Sequence, residues 1–326
     1  MKITINLIVA SLWLLFSSWA LAAQPAQITP LAYQSLMTDI ASAEGQVIAV
    51  GEQGHILFSR GNGRSWSQGK VPVDNLLTAI TMLNKNTAWA VGHDGVVIKT
   101  EDGGANWKLI YSLLENSGAD FVDPLLDVIF WDNQNGMAVG AFGQYYRTSD
   151  GGASWLNLSK RLPNEDELHL NAILRTPDQE LWIASEYGTV FRSSDNGQNW
   201  ETITFPADGS FFTLAYKPDT RDVIVAGIAG NAFSFDLNDA EISSLALPIN
   251  QSIYDAQLVN SRLHLVGANG IWQQGQSFKI DDNRISRHAI TPSGDGLFSI
   301  ATAQGIQVVN GEGQNIALQH TAAEEK

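Results

Sequence analysis

The sequence predicts an all-β protein, a seven-bladed β-propeller built of four-stranded antiparallel blades. Three observations predict it. The stretch TEDGGANW (Thr100 to Trp107) returns as TSDGGASW (Thr148 to Trp155), as SSDNGQNW (Ser193 to Trp200), and in worn form as SRGNGRSW (Ser59 to Trp66). A second marker precedes each box: VGEQG, VGHDG, VGAFG and ASEYG, whose final glycines, Gly54, Gly95, Gly143 and Gly188, each stand twelve residues before the tryptophan. The marker then continues without the box as AGIAG (Ala226 to Gly230), VGANG (Val266 to Gly270) and ATAQG (Ala301 to Gly305), so the seven starts lie 41, 48, 45, 42, 40 and 35 residues apart. That is the period of a propeller blade.

The chain opens with Lys2, an apolar run and an Ala20-Leu21-Ala22 cleavage box. This is the layout of a secretory signal peptide over residues 1–22, preferred to an uncleaved anchor because Asn6, Ser17 and Ser18 break the run. The sequence has no cysteine, so neither a lipoprotein anchor nor a disulfide is expected. Residues 23–326 then read as a single propeller with an acidic tail from about 319. Within each unit a short apolar inner strand comes first, then a strand such as TAWAVG, a tight glycine hairpin, a strand such as VVIKT, the Asp-Gly turn, and an outer strand that starts at the tryptophan. Apolar and polar residues alternate between Gly, Asn-Gly and Asp-Gly punctuation, which is the hairpin signature, and no sustained helical period follows the signal. Blades that bury their faces on one another account for stability without disulfides.

The boxes could be catalytic acids, calcium loops or turns. Each offers one carboxylate, Asp102, Asp150 or Asp195, and Gly61 replaces it in the first copy, which suits neither a converging acid pair nor a multidentate calcium loop. The expected roles are structural: the aspartate staples its own turn, and Trp66, Trp107, Trp155 and Trp200 wedge between neighbouring blades. Box and hairpin together resemble the BNR or Asp-box propellers, and the VG-x-x-G-x-I-x-x-T-x-D-G-G-x-x-W string over about residues 38–205 resembles the photosystem II stability/assembly-factor-like family. That resemblance implies an assembly or scaffold role beside a membrane complex.

Functional positions are sought at the opposite ends of the strands. The second residue of each inner strand is polar: Thr38, Thr78, Asp127, Asn171, Thr213, Asp255 and His288. They are expected to ring the central channel as a hydrogen-bonded collar. On the same face lie the variable hairpin residues Glu52, His93, Asp94, Phe142, Glu186, Tyr187 and Asn269, together with the long connections near Glu115 to Asp123 and Lys160 to Glu167. An acidic face spotted with exposed aromatics suits a protein partner.

Without the signal the chain keeps 18 basic against 34 acidic residues, which disfavours nucleic acid and anionic lipid. The enzyme alternative is a polysaccharide-active glycoside hydrolase of the Asp-box, sialidase-like type. It would need an arginine cluster, yet Arg161-Leu162-Pro163 falls in a connection and no ring position is arginine. Asp127 and Asp255 would stand nearly opposite one another across the ring. The six histidines are scattered, so no metal site or cofactor is expected. The sequence therefore reads as a periplasmic or secreted, non-catalytic, monomeric scaffold for a protein partner in an envelope membrane complex.

Overall fold

The computed structural model describes residues 24–247, 250–268, 270–274, 279–280 and 285–320. The signal segment, Asn269 and the last six residues lie outside them. Seven sheets follow one another along the chain. In the first, β1 (Met37–Ala43), β2 (Gln46–Gly51), β3 (Ile56–Ser59) and β4 (Ser65–Gln68) pair antiparallel in chain order, from the channel outward. The inner strands of the following blades are Leu77–Met82, Leu125–Phe130, Ala172–Arg175, Phe211–Lys217, Ile253–Val259 and Arg287–Gly294. The second strand of every blade is buried almost throughout, as Val47 to Val50 and Ala88 to Val91 show, because it lies between two blade faces.

The core is correspondingly a set of inter-blade layers. Ile48, Val50 and Phe58 of the first blade meet Ile80, Ala90 and Ile98 of the second. Trp182 and Val190 of the fourth meet Val223 and Phe235 of the fifth. The box tryptophans belong to these layers: Trp107 packs on the first blade, and Trp66 packs against Ala289 and Ala301 of the seventh.

The first glycine of the hairpin marker is required by a close approach. In Gly51, Gly92, Gly140, Gly227 and Gly267 a Cβ would stand 2.0 to 2.4 Å from the carbonyl oxygen that precedes the inner strand. That carbonyl accepts the next N–H of the hairpin, as in Glu52 N to Leu36 O at 3.0 Å and His93 N to Leu76 O at 2.9 Å. The hairpin is thereby sewn to the connection arriving from the previous blade. Hairpins and connections therefore share one face, and the aspartate turns occupy the other.

The two long connections sit on the hairpin face. One contains a short helix, α1 (Leu113–Ser117), capped by Ser112 Oγ on Glu115 N, with Leu113 seated against Gly95 of the second hairpin. The other runs past Gly143, which meets Asn164.

The ring closes through both ends of the described chain. Pro30–Gln34 forms a 3-10 turn that lays Ala32 and Tyr33 between the first and last blades, and it adds no strand. Three strands make up the seventh sheet, with Asn315 bridging to Val309 in the fourth place. Gln319–His320 then crosses to pair parallel with Ser65 and Trp66 of β4. Among the described residues no helix is long and apolar enough to cross a membrane.

Candidate functional site

The seven polar inner-strand residues fall in two layers and not one, and Thr78, Asp127, Asn171, Thr213, Asp255 and His288 line the central cavity. A β-bulge interrupts the pairing of inner and second strands in six blades, and its extra residue is Thr38, Thr78, Leu126, Phe212, Tyr254 or His288. Thr38, Thr78 and His288 thus stand at the bulge, and Asn171 holds the equivalent place in the fourth blade. Asp127, Thr213 and Asp255 stand one residue further on, where their partners are Val139, Ala226 and Val266. Counting back from the hairpin glycine cannot see a one-residue bulge, which is why the sequence reading merges the layers.

The two layers divide one task between them. Thr38 Oγ1 donates to Leu77 O, and Thr78 Oγ1 to Leu125 O, both at 2.6 Å. Asn171 Nδ2 donates to Phe211 O at 2.9 Å, and His288 Nδ1 to Met37 O at 2.8 Å, which fixes the proton on that ring nitrogen. In the third, fifth and sixth blades the bulge residue is Leu126, Phe212 or Tyr254, and the next residue makes the junction. Asp127 Oδ2 accepts Ile173 N at 2.6 Å, Thr213 Oγ1 accepts Ala256 N at 3.1 Å, and Asp255 Oδ2 accepts Ile290 N at 2.9 Å. Each residue bridges its own blade to the next, and the seven bonds run round the ring, including the closing junction between the seventh and first blades.

Asp39 belongs to this collar and was missed by sequence reading, which stopped at Thr38. Its Oδ2 accepts Ile80 N and its Oδ1 accepts Ile40 N, both at 2.7 Å. Asp39, Asp127 and Asp255 lie deep enough in the channel wall to repel one another. Burial pushes the Asp127 carboxyl up to about 8, against the pull of the Ile173 and Val128 N–H groups, with repulsion from Asp39 and Asp255 adding to the rise. Burial likewise pushes Asp39 up to about 7 and raises Asp255. Each of these oxygens is already engaged by backbone N–H, so the acids hold blades together. Among the described residues no group of three or more His, Cys, Asp or Glu side chains could hold a metal ion.

The aspartate turns repeat one local network. Asp102 Oδ1 accepts from Thr100 Oγ1 and Asn106 N, both at 2.9 Å, and Oδ2 from Asn106 Nδ2 at 2.7 Å. Asp150 and Asp195 do the same with Thr148 and Ser154, and with Ser193 and Asn199. Hydrogen bonds from Asn199 hold the Asp195 carboxyl down at about 2. The indole N–H groups of Trp66, Trp107 and Trp155 donate to the glycine carbonyl three residues back, at 2.8 to 3.1 Å, so ring and turn are one unit. Trp200 is half-buried against the layer between the third and fourth blades, beside Tyr145.

On the hairpin face the predicted residues separate by what they touch. Glu52 Oε1 accepts Leu36 N at 3.0 Å, Asp94 Oδ2 accepts Asn75 Nδ2 at 2.7 Å, and Glu186 Oε2 accepts both His169 N at 2.8 Å and His169 Nδ1 at 2.9 Å. These acids tie tips to connections. His93 is exposed without such a bond. Phe142 and Tyr187 are 55% and 69% exposed. Both occupy the left-handed hairpin position, at φ 52°, that Gln53, Asp94 and Ala229 fill in other blades. Phe121 of the first long connection and Ile228 of the fifth hairpin, also exposed, extend this arc and were not singled out from sequence.

Residues 115–210 match the family model described as Photosynthesis system II assembly factor YCF48. The Photosystem II assembly lipoprotein Ycf48 of Prochlorococcus marinus is 33% identical over 180 residues, 53% of this chain and 50% of that protein. The chain resembles the photosystem II assembly-factor-like BNR propellers. The match spans about half the length of that curated relative, and the residues matched by the family model include the boxes Thr148 to Trp155 and Ser193 to Trp200. Two solved structures similar to this propeller are YCF48 bound to D1 peptide (TM-score 0.67, 17% identity, 88% of this chain and 96% of that one) and YCF48 from Cyanidioschyzon merolae (TM-score 0.68, 16% identity, 89% and 100%). A streptogramin B lyase matches as well, with TM-score 0.70, 17% identity, 86% of this chain and 95% of that one. At such identities the structures share the fold.

Proposed function

We propose that this propeller is a non-catalytic binding scaffold that holds a protein segment during assembly of an envelope membrane complex, working as a monomer in the periplasm or outside the cell after export. The exposed aromatic tips Phe142 and Tyr187 carry the reading. A bulky residue in the left-handed region is strained, and such outliers persist where function keeps them. The relatives support it: one is named as a photosystem II assembly lipoprotein, and one solved propeller of the same architecture holds a peptide. The hydrolase reading is the weaker one, because Asp127 and Asp255 are each committed to backbone N–H groups of the collar.

The test is photo-crosslinking in cells from a reactive amino acid placed at position 187, followed by identification of the products. Adducts with subunits of one membrane complex are expected, enriched in its incomplete forms. Adducts spread over abundant periplasmic proteins without preference would sink the assembly role.

A further inference from the structure

Resting on that binding role, we infer that the hairpin face takes a cationic, apolar stretch of polypeptide: lysine or arginine interspersed with aliphatic side chains, laid across the tips of the third, fourth and fifth blades. The exposed apolar residues are linked from tip to tip. The Phe142 ring lies against the His169 ring, with centroids 4.6 Å apart, and His169 is bonded to Glu186 beside Tyr187. Gly188 N donates to Gly209 O, and Ile228 covers Gly209 so closely that a Cβ there would stand 2.0 Å from Ile228 Cγ2. At the other end Gln144 Nε2, next to the third tip, donates to Asp123 O in the connection that carries Phe121.

The rim is net negative. The connection before the third blade exposes Glu115 and Asp120 and half-exposes Asp123, and it contains no lysine or arginine between residues 113 and 124. The connection before the fourth blade exposes Glu165, Asp166 and Glu167 against Lys160 and Arg161, exposed at its start. Among the described residues none of these six carboxylates is ion-paired to a lysine or arginine. Exposed apolar residues fenced by an excess of carboxylates disfavour a second copy of the same face, an anionic lipid surface and a phosphate backbone alike. A cationic segment gains from the aromatic anchors and from the field, which reaches about 10 Å at moderate salt.

The test is fluorescence anisotropy with three labelled synthetic peptides of equal length, Leu/Lys, Leu/Glu and Ser/Lys, on the full chain. Leu/Lys is expected to bind, at least tenfold more tightly than either control, and to weaken several-fold between 50 and 300 mM salt. Phe142→Ser/Tyr187→Ser should weaken it at least tenfold. Asp120→Asn/Asp123→Asn/Glu165→Gln should weaken it several-fold. These positions are on the surface, and a thermal melt confirms that each variant keeps its fold. Equal binding of Leu/Glu overturns the cationic class while leaving the docking role intact. Undiminished Leu/Lys binding by the aromatic variant overturns the site, and failure of Leu/Lys to bind overturns the inference, with the crosslinking result then judging the docking role separately.

Discussion

A tyrosine at φ 52° opposes folding through backbone strain, and with most of its surface in water it recovers little by burial. The left-handed conformation costs an ordinary L-residue about 1–2 kcal/mol, and asparagine tolerates it better. Tyr187→Asn is therefore expected to raise stability by about 0.5–1 kcal/mol in urea denaturation, while weakening capture of the partner. A loss of stability instead would mean that the ring supports the fold. At this scale the sequence was partly legible. The variable hairpin pair exposed Phe142 and Tyr187 as oddities. Glu52, Asp94 and Glu186 looked the same in sequence, and only their hydrogen bonds to Leu36, Asn75 and His169 show that they serve the scaffold. His169 itself carries no pattern, because its place under Phe142 depends on how a long connection folds back.

The hairpin is the element on which the blades depend, and its first glycine is the sharpest test of that. Gly92 has extended backbone, so its requirement is space: a Cβ would stand 2.2 Å from Leu76 O. Gly92→Ala is expected to cost about 1–3 kcal/mol, read from the thermal midpoint, because inner strand and hairpin must separate to admit the methyl group. An unchanged midpoint would show that the connection yields freely. The fourth blade has solved the problem differently: Ser185 stands in this place and its Oγ donates to His169 O at 2.6 Å. Strand order, hairpins and turns were all readable, since glycine spacing and alternation repeat seven times. The bulges were not, because one extra residue leaves the glycine count nearly unchanged. Nor was the closing pair Gln319–His320, a two-residue parallel bridge without any pattern to announce it.

Across the whole molecule the collar makes stability depend on pH. Asp39 and Asp127 hold their protons up to about 7 and about 8 in the folded ring, against 3.8 as the ordinary value, and Asp255 shifts the same way. The folded state therefore binds more protons than the unfolded chain between about pH 4 and pH 8. Their contribution is whole below that window and declines as pH rises through it. The melting temperature should fall between pH 5 and pH 8.5. Asp127→Asn should destabilise the fold at pH 5 by about 1–3 kcal/mol, since the amide can accept from Val128 or Ile173 but turns N–H toward the other. Its pH slope should be shallower than that of the parent, and an equal slope would remove Asp127 from the account.

The same collar has a bearing on how a ring of near-identical units counts to seven. Repeated modules are prone to exchange between molecules and to join in the wrong order. Here the junctions are not all alike: at the first two a hydroxyl offers its hydrogen to a carbonyl, at the third and sixth a carboxyl oxygen accepts an amide, at the last an imidazole meets Met37. A module inserted out of turn would bring Asp127 against a carbonyl, or Thr78 against a strand whose acceptor lies one bulge away. The channel wall thus works as a set of partly keyed joints, and it restricts the order in which the blades can be joined.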